Sequence, residues 1–292
     1  MIEFHADDYG MFPEAARRII ACIDGGCING ISLMPNAPCF EECMEILKNE
    51  CHTKVRLSVH LNLMTERPLC DRSRIPDLTD EEGYFCLTYG KLLLSSLFPK
   101  KRANYKKQIK EELALQIERC LPYLNDSEGI RLDSHRHFHM VPVVFDAIAE
   151  LAAEKDYNLS YIRIIRERAA LYHHLFKFES FRPVNVIKAV LLNYLGFIDR
   201  RRHRRLYDLG TADFGSILFS GCMTESNLSL LVHNHTKYAG HFREDLELMF
   251  HPGAVLEKED LMRIHDAEDA AYMADPMRLK EQEAVCSFTV CS

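Results

Sequence analysis

The stretch Asp133-Ser134-His135-Arg136-His137-Phe138-His139 sets one acid and three histidines at alternate positions. Residues two apart in an extended segment point to one face. One face would therefore carry Asp133, His135, His137 and His139. Gly129-Ile130-Arg131-Leu132 reads as the start of a short strand, and Pro142 falls near the first turn of a following helix, where a missing N–H does no harm. The polar cluster thus sits where a strand hands over to a helix, the place where α/β folds build their sites. Three more groups share that position. Asp7 and Asp8 end a first strand, His60 ends a third, and His251 ends a later one. Two adjacent carboxylates at a buried strand end are costly unless a cation or a proton shares the site. One carboxylate with two imidazoles can hold a divalent metal and leave room for water. Asp7 and Asp8 leave an extended chain on opposite sides, so they can do different jobs.

Each of these residues also has a plainer explanation. Asp7 could be an acid at a helix N-terminus, and His251 could simply precede the Pro252-Gly253 turn. His60 alone would pass for a half-exposed strand residue, but Asn62 and Thr65 beside it point to a polar pocket. His173, His174, His233 and His235 read as surface or core histidines.

The elements that must position these groups follow from apolar spacing. Strands are expected over 1–7, 28–34, 55–61, 130–135, 161–165 and 246–250, with a short one over 214–219 and a last one over 285–290. Helices are expected over 13–24, 40–48, 104–124, 142–155, 184–195 and 225–232. Residues 65–101 hold Pro68, Pro76 and Gly83 and read as a long excursion over the mouth of the fold. Residues 168–242 form a second excursion that is harder to place. Strands alternating with helices over 1–292 indicate one α/β domain with a largely parallel sheet. A distorted (β/α) barrel of seven or eight strands fits the count better than an open sheet, and a barrel would bring all the named strand ends to one face.

Composition narrows the class. Lys+Arg 36 against Asp+Glu 43 gives a net charge of −7, against a nucleic-acid binder with its basic footprint. The basic run 199–205 reads as a solvated face within that acidic whole. The most apolar stretch, 189–198, is too short to span a bilayer and contains Asn193. The N-terminus shows no basic segment followed by a long apolar one. Eleven cysteines without a CxxC pair read as reduced thiols, so a cytoplasmic protein with no membrane partner is expected.

Five blocks in order carry a resemblance: Ala6-Asp7-Asp8-Tyr9-Gly10, Ser32-Leu33-Met34-Pro35-Asn36, Val59-His60-Leu61-Asn62-Leu63, the 132–139 stretch, and Met249-Phe250-His251-Pro252-Gly253. Together they resemble the signature of the YdjC-like carbohydrate deacetylases, which include chitooligosaccharide deacetylases. The likeness covers nearly the whole chain and is weakest over 168–242. It implies a distorted barrel similar to the NodB-type polysaccharide deacetylases. It implies Asp8, His60 and His135 as metal ligands, Asp7 as the base and His251 as the acid. Asn36, Asp133, His137 and His139 would then contact substrate or steady the ligands, with Asp133 orienting a ligand histidine. One divalent cation is implied, Mg2+ by resemblance, with Zn2+, Mn2+, Co2+ and Ni2+ left open by the donor set. The expected substrate is a small acetylated amino sugar, and a homodimer stays open. The chain departs from the family at His5, where Asn is usual, and at Arg136, where a further His is common. Other readings stay open too: a different metal-dependent esterase or phosphoesterase, or a sugar- or metal-binding protein without catalysis.

Overall fold

The computed structural model describes residues 1–179, 182–243 and 245–288. The chain opens with β1 (Ile2–Tyr9), α1 (Pro13–Asp24), β2 (Gly30–Leu33), α2 (Phe40–Glu50) and β3 (Arg56–Leu61). Then come α3 (Tyr89–Leu97), α4 (Pro99–Cys120), β4 (Ile130–Ser134), α5 (Pro142–Lys155) and β5 (Leu159–Ile162). The rest comprises α6 (Pro183–Arg202), α7 (Arg204–Asp208), β6 (Asp213–Phe214), α8 (Glu225–Lys237) and β7 (Leu246–Phe250), followed by α9 (Lys258–Leu261), α10 (Ala267–Met273) and α11 (Met277–Ser287).

The seven strands lie in the order β5-β4-β3-β2-β1-β7-β6, and every neighbouring pair is parallel. The sheet curls into a half-barrel surrounded by helices. Its two edge strands approach each other just past β5. There the Phe214 N–H donates to the Arg166 carbonyl at 3.1 Å, and the Arg166 guanidinium donates to the carbonyls of Gly210 and Ala212. The concave side is polar. Along β1, Glu3, His5 and Asp7 alternate with Phe4 and Ala6, as period two requires. Phe4 stacks on Phe250 of β7 among the apolar residues packed under the helices. The barrel therefore encloses charge, which must be paired to be tolerated.

The helices form where the sequence gives them an apolar face. In α1, Pro13 opens the first turn, and Ala15, Ala16, Ile19, Ile20 and Ile23 are buried. Thr88 caps α3 by accepting from the Lys91 N–H, and Thr224 caps α8 by accepting from the Asn227 N–H. In α4, Ile109, Leu113 and Ile117 face the core. Beside them the buried side chains of Glu112 and Gln116 accept the backbone N–H groups of Leu69, Cys70 and Asn62. That is how the first excursion is held down without a sheet of its own.

Four expectations need correction. Residues 65–101 are not irregular throughout, since α3 and the start of α4 fall in them. The strand expected over 214–219 ends after Phe214, because Glu167 gathers the N–H groups of Ser216 and Ile217 and turns the chain into a 3-10 turn, Ile217–Phe219. Residues 285–287 of the expected last strand close α11 instead. Val285, the buried one of these three, belongs with Ala284 to the helical face that also buries Glu281; residues 289 and 290 of that strand lie outside the described residues. The segment after β4 is not extended, as taken up below. Among the described residues no helix is long and apolar enough to cross a membrane.

Candidate active site

The acidic doublet parts by a route other than strand alternation. The β1–β2 register breaks between Ala6 and Tyr9, and Asp8 adopts φ +65°. A left-handed conformation is uncommon outside glycine and costs energy unless the surroundings hold it. It is held here because each carboxylate meets different partners. Asp7 is gripped by Arg163, with Nη1 2.7 Å from Oδ2 and Nη2 2.8 Å from Oδ1. Asp8 turns its Oδ1 to His135 Nδ1 at 2.9 Å, lies 3.4 Å from His60 Nε2, and has Arg278 Nη2 3.4 Å from its Oδ2.

Arg163 directly follows β5, and its N–H continues the ladder to the Leu132 carbonyl. The side chain is fully buried in the barrel among Asp7, Glu247 (2.6 Å) and Asp133 (3.3 Å). Burial alone would depress its pKa, but Asp133, Asp7 and Glu247 outweigh that and lock the cation. The converse holds for Asp7. Burial would raise its pKa, yet Arg163 beside it keeps the carboxyl below its ordinary value. Asp8 is likewise opposed by burial and driven well below the usual carboxylate range by His135 and His60.

His60 is paired in register with Asp133 across β3 and β4, and its Nδ1 lies 2.6 Å from Asp133 Oδ1. Burial acts to lower the His60 pKa, but Asp133 and Asp7 raise it to about 10. Nδ1 therefore donates to Asp133, and Nε2 is the nitrogen from which a cation would displace a proton. That Nε2 is buried and has no hydrogen-bond partner among the described residues; the same is true of His135 Nε2. His135 stands one residue past β4, its ring edge-on to His60 at 5.8 Å.

Donor atoms of Asp8, His60 and His135 all lie within 4.8 Å of one another. Among the described residues two further groups meet that spacing, His5–Asp133–Glu247 and Asp7–His60–Asp133. In both, Arg163 already occupies the carboxylates, so the fit to a divalent cation belongs to Asp8, His60 and His135. Those three combine one carboxylate with two imidazoles that have an unpartnered nitrogen.

The alternation read into 133–139 ends at Ser134. Arg136 and His137 take φ +54° and +57°, a left-handed kink that interrupts the 3-10 stretch His135–Met140 and ends the extended face. The histidines consequently separate. His137 is buried, with Nδ1 unpartnered and its ring against Phe214; burial and then Arg163 hold its pKa well below the ordinary value. His139 points away from the cleft. Its Nε2 donates to the Arg163 carbonyl at 2.7 Å, and its Nδ1 accepts from the Ser134 hydroxyl at 2.6 Å. Burial lowers its pKa to about 4, against the pull of that carbonyl bond. His139 thus steadies the backbone of Arg163 and leaves no nitrogen for a substrate. Asn36 is also spoken for. Its amide donates to the carbonyls of Thr65 and Arg67 and accepts from Asn62, fixing the loop after β3.

His251 follows β7. Its N–H donates to Glu281 Oε2 at 2.5 Å, its Nδ1 lies 3.7 Å from the same oxygen without a partner, and its ring meets the edge of Tyr272. Asp7, Asp8, His60, His135, His137 and His251 all line one cleft of about 640 Å³. Its outer walls come from α6, from Tyr89 in the first excursion and from the stretch 268–275. Arg136 sits at the rim, paired with Asp269, while its carbonyl accepts from the Tyr89 hydroxyl.

Sequence reasoning missed Arg163, Glu247, Arg278 and Glu281. Arg163 did leave a signal: a lone arginine in Ile162-Arg163-Ile164-Ile165 is a charge inside an apolar run, which needs buried acids. Arg278 and Glu281 left none, since the sequence of α11 has no apolar stripe to tell its buried side from its exposed one.

The family model described as YdjC-like protein matches residues 1–290. The chain belongs to the YdjC-like family. A carbohydrate deacetylase of Clostridium beijerinckii is 29% identical to this YdjC-like chain over 163 residues, 56% of this chain and 60% of the relative. A carbohydrate deacetylase of Geobacillus stearothermophilus is 29% identical over 51% of this chain and 54% of its own length. These matches span less than two thirds of the relatives. A carbohydrate deacetylase of Xenopus laevis is 21% identical over 97% of this chain and 95% of its own. The crystal structure of an Enterococcus faecalis protein, provisionally described as a cellobiose-phosphate cleavage protein, superposes with a TM-score of 0.62 at 20% identity. It covers 98% of this chain and 90% of that one, a likeness of fold.

Proposed function

We propose that this YdjC-like chain is a metal-dependent carbohydrate deacetylase, a hydrolase that removes N-acetyl groups from amino sugars or short oligosaccharides such as chitooligosaccharides. The observation that carries the reading is the unpartnered Nε2 of His60 and of His135 beside Asp8, next to an ionised Asp7, in one cleft. The relatives named carbohydrate deacetylases support it.

Asp8, His60 and His135 would hold a divalent cation, which would supply Lewis-acid polarisation and make water more acidic there. Two imidazoles with one carboxylate suit Zn2+, Mn2+, Co2+ or Ni2+ at least as well as Mg2+, which prefers all-oxygen sites. Asp7 takes the proton of the attacking water. Arg163 makes it a weak base, but one that stays ionised below the ordinary carboxylate pKa and is rigidly held. Asp133 keeps the His60 ring in place through Nδ1. His251 gives a proton to the departing amine, since a free amide anion is too poor a leaving group. A phosphoesterase of the two-metal kind would need a second open ligand set, and the other two groups at metal spacing are held by Arg163.

The test is acetate release from N-acetylglucosamine oligomers by chelator-treated protein before and after adding each divalent cation in turn. Cation-dependent release is expected. Release at full rate in the presence of chelator, or release from acetyl esters only, refutes the reading.

A further inference from the structure

Behind the cleft, an unbroken file of buried hydrogen bonds runs from the floor of the barrel to His60. Glu3 Oε1 lies 2.8 Å from His5 Nδ1, and His5 Nε2 lies 2.7 Å from Ser32 Oγ. Ser32 Oγ lies 2.5 Å from Asp133 Oδ2, and Asp133 Oδ1 lies 2.6 Å from His60 Nδ1. His5, Ser32, Asp133 and His60 are all shut off from solvent.

The direction of each bond can be worked out. Asp133 is the acceptor of the file: Arg163 Nη2 lies 3.3 Å from its Oδ2 and His60 Nδ1 lies 2.6 Å from its Oδ1. Two bare oxygens 2.5 Å apart would repel, so the single Ser32 proton lies between Oγ and Asp133. Ser32 then has no proton left for His5, and His5 Nε2 must be the donor to Ser32. At the other end, burial would raise the Glu3 pKa, but His5 and Arg131 bring it to about 2. Glu3 is therefore an acceptor at its end of the file. The choice at Ser32 matters, because its hydroxyl also lies 3.4 Å from Asp7 Oδ1.

We propose that His5 is a positioning residue for the metal site: its donation to Ser32 commits the Ser32 proton to Asp133 and away from Asp7, and so holds the acceptor that orients His60. The role rests on the reading of His60 as a ligand. It belongs to this chain in particular, since His5 stands where the resemblance leads one to expect Asn.

The experiment titrates Zn2+ into chelator-treated protein by calorimetry for wild type, His5→Leu, Ser32→Ala, the double variant and His5→Gln, with deacetylation kinetics alongside. Loss of a partner that contacts a ligand costs 10–100-fold in metal affinity. His5 and Ser32 act one bond further out, so each single variant should weaken Zn2+ binding about 3–10-fold. The double variant should be no weaker than the poorer single, as expected of one pathway. His5→Gln, which keeps an N–H donor at the Nε2 position, should lie within about twofold of wild type, and kcat should fall in His5→Leu with KM unchanged. If His5→Leu does not fold, Ser32→Ala carries the same test. Wild-type affinity in both single variants, or simple multiplication of the two effects in the double, overturns the role. Zn2+ binding that responds as expected in a protein that deacetylates nothing leaves this role standing and overturns the deacetylase reading. A wild type that binds no divalent cation overturns both.

Discussion

Replacing Asp7 by Asn tests the division of labour within the doublet. The substitution keeps shape and one acceptor oxygen but removes the charge that faces Arg163 at 2.7 and 2.8 Å. Hydrogen bonds to charged groups contribute about 1.5–3 kcal/mol each. The guanidinium keeps Glu247 at 2.6 Å and Asp133 at 3.3 Å. A loss of about 2–3 kcal/mol is therefore expected, less than the 5–15 kcal/mol by which domains are typically stable. The protein should fold. The Asp7 pKa is lower folded than unfolded, so its contribution is present above the unfolded value of 3.8 and fades as pH falls through the folded one. Wild type and variant should accordingly differ most in urea midpoint near neutrality and converge in acid. Loss of a general base costs about 10²–10⁴ in rate, or about 2.7–5.5 kcal/mol of barrier. Metal affinity should be unchanged, because Asp8, His60 and His135 are untouched. Asp8→Asn should do the reverse and lose the cation first. Acetate release at saturating metal and calorimetric metal binding, on both variants, decide it. Metal loss in Asp7→Asn with retention in Asp8→Asn exchanges the roles, and Asp7→Asn with more than a third of wild-type activity removes the base assignment.

Other expectations follow from the same contacts. His60→Ala and His135→Ala should each lose bound metal, measured by elemental analysis after dialysis; full occupancy in both would end the ligand assignment. His251→Gln should lower kcat with metal affinity intact, and should matter less for substrates whose leaving group is a good one, such as an activated anilide. Asp199 is fully buried with neither carboxylate oxygen bonded, and burial, then Asp146, raises its pKa to about 9. The folded chain thus holds a proton that the unfolded chain has released between about pH 4 and 9, and stability falls with rising pH in that window. Asp199→Asn should stabilise by about 1.4 kcal/mol per pH unit above the unfolded value of 3.8, on the order of 4 kcal/mol at pH 7, and by nothing near pH 3. Equal urea midpoints for variant and wild type at pH 7 would show that Asp199 is ionised and paired after all.

Most of the barrel was legible because its rules are local. Pro13 and the spacing of Ala15, Ile19, Ile20 and Ile23 located α1 at its observed bounds, and the largely apolar stretch Leu246–Phe250 located β7 despite Glu247 within it. Strand ends follow from such runs, and in a parallel barrel strand ends share one face. Asp7, Asp8, His60, His135 and His251 were therefore expected at one face, and in the structure they line one cleft. The signals failed where a residue's conformation depends on distant partners. Val285 fits a strand by composition, but it lies on α11, whose inward face carries Arg278 toward Asp8 and Glu281 toward the His251 N–H.

What the sequence determined by itself, then, was which residues could do chemistry and roughly where along the chain they would surface. Their direction was set by the packed fold. Alternation made Asp133, His135, His137 and His139 equivalent, and two left-handed residues, Arg136 and His137, broke that equivalence. His135 was left at the cleft and His139 was turned onto the Arg163 carbonyl. The same holds for the doublet: adjacency could not say which carboxylate was free, and the answer came from Arg163, an arginine 156 residues away that occupies Asp7 and leaves Asp8 to the histidines. Charge inside a barrel is settled by pairing, and pairing depends on which strands are neighbours across the interior, a fact that no local pattern contains.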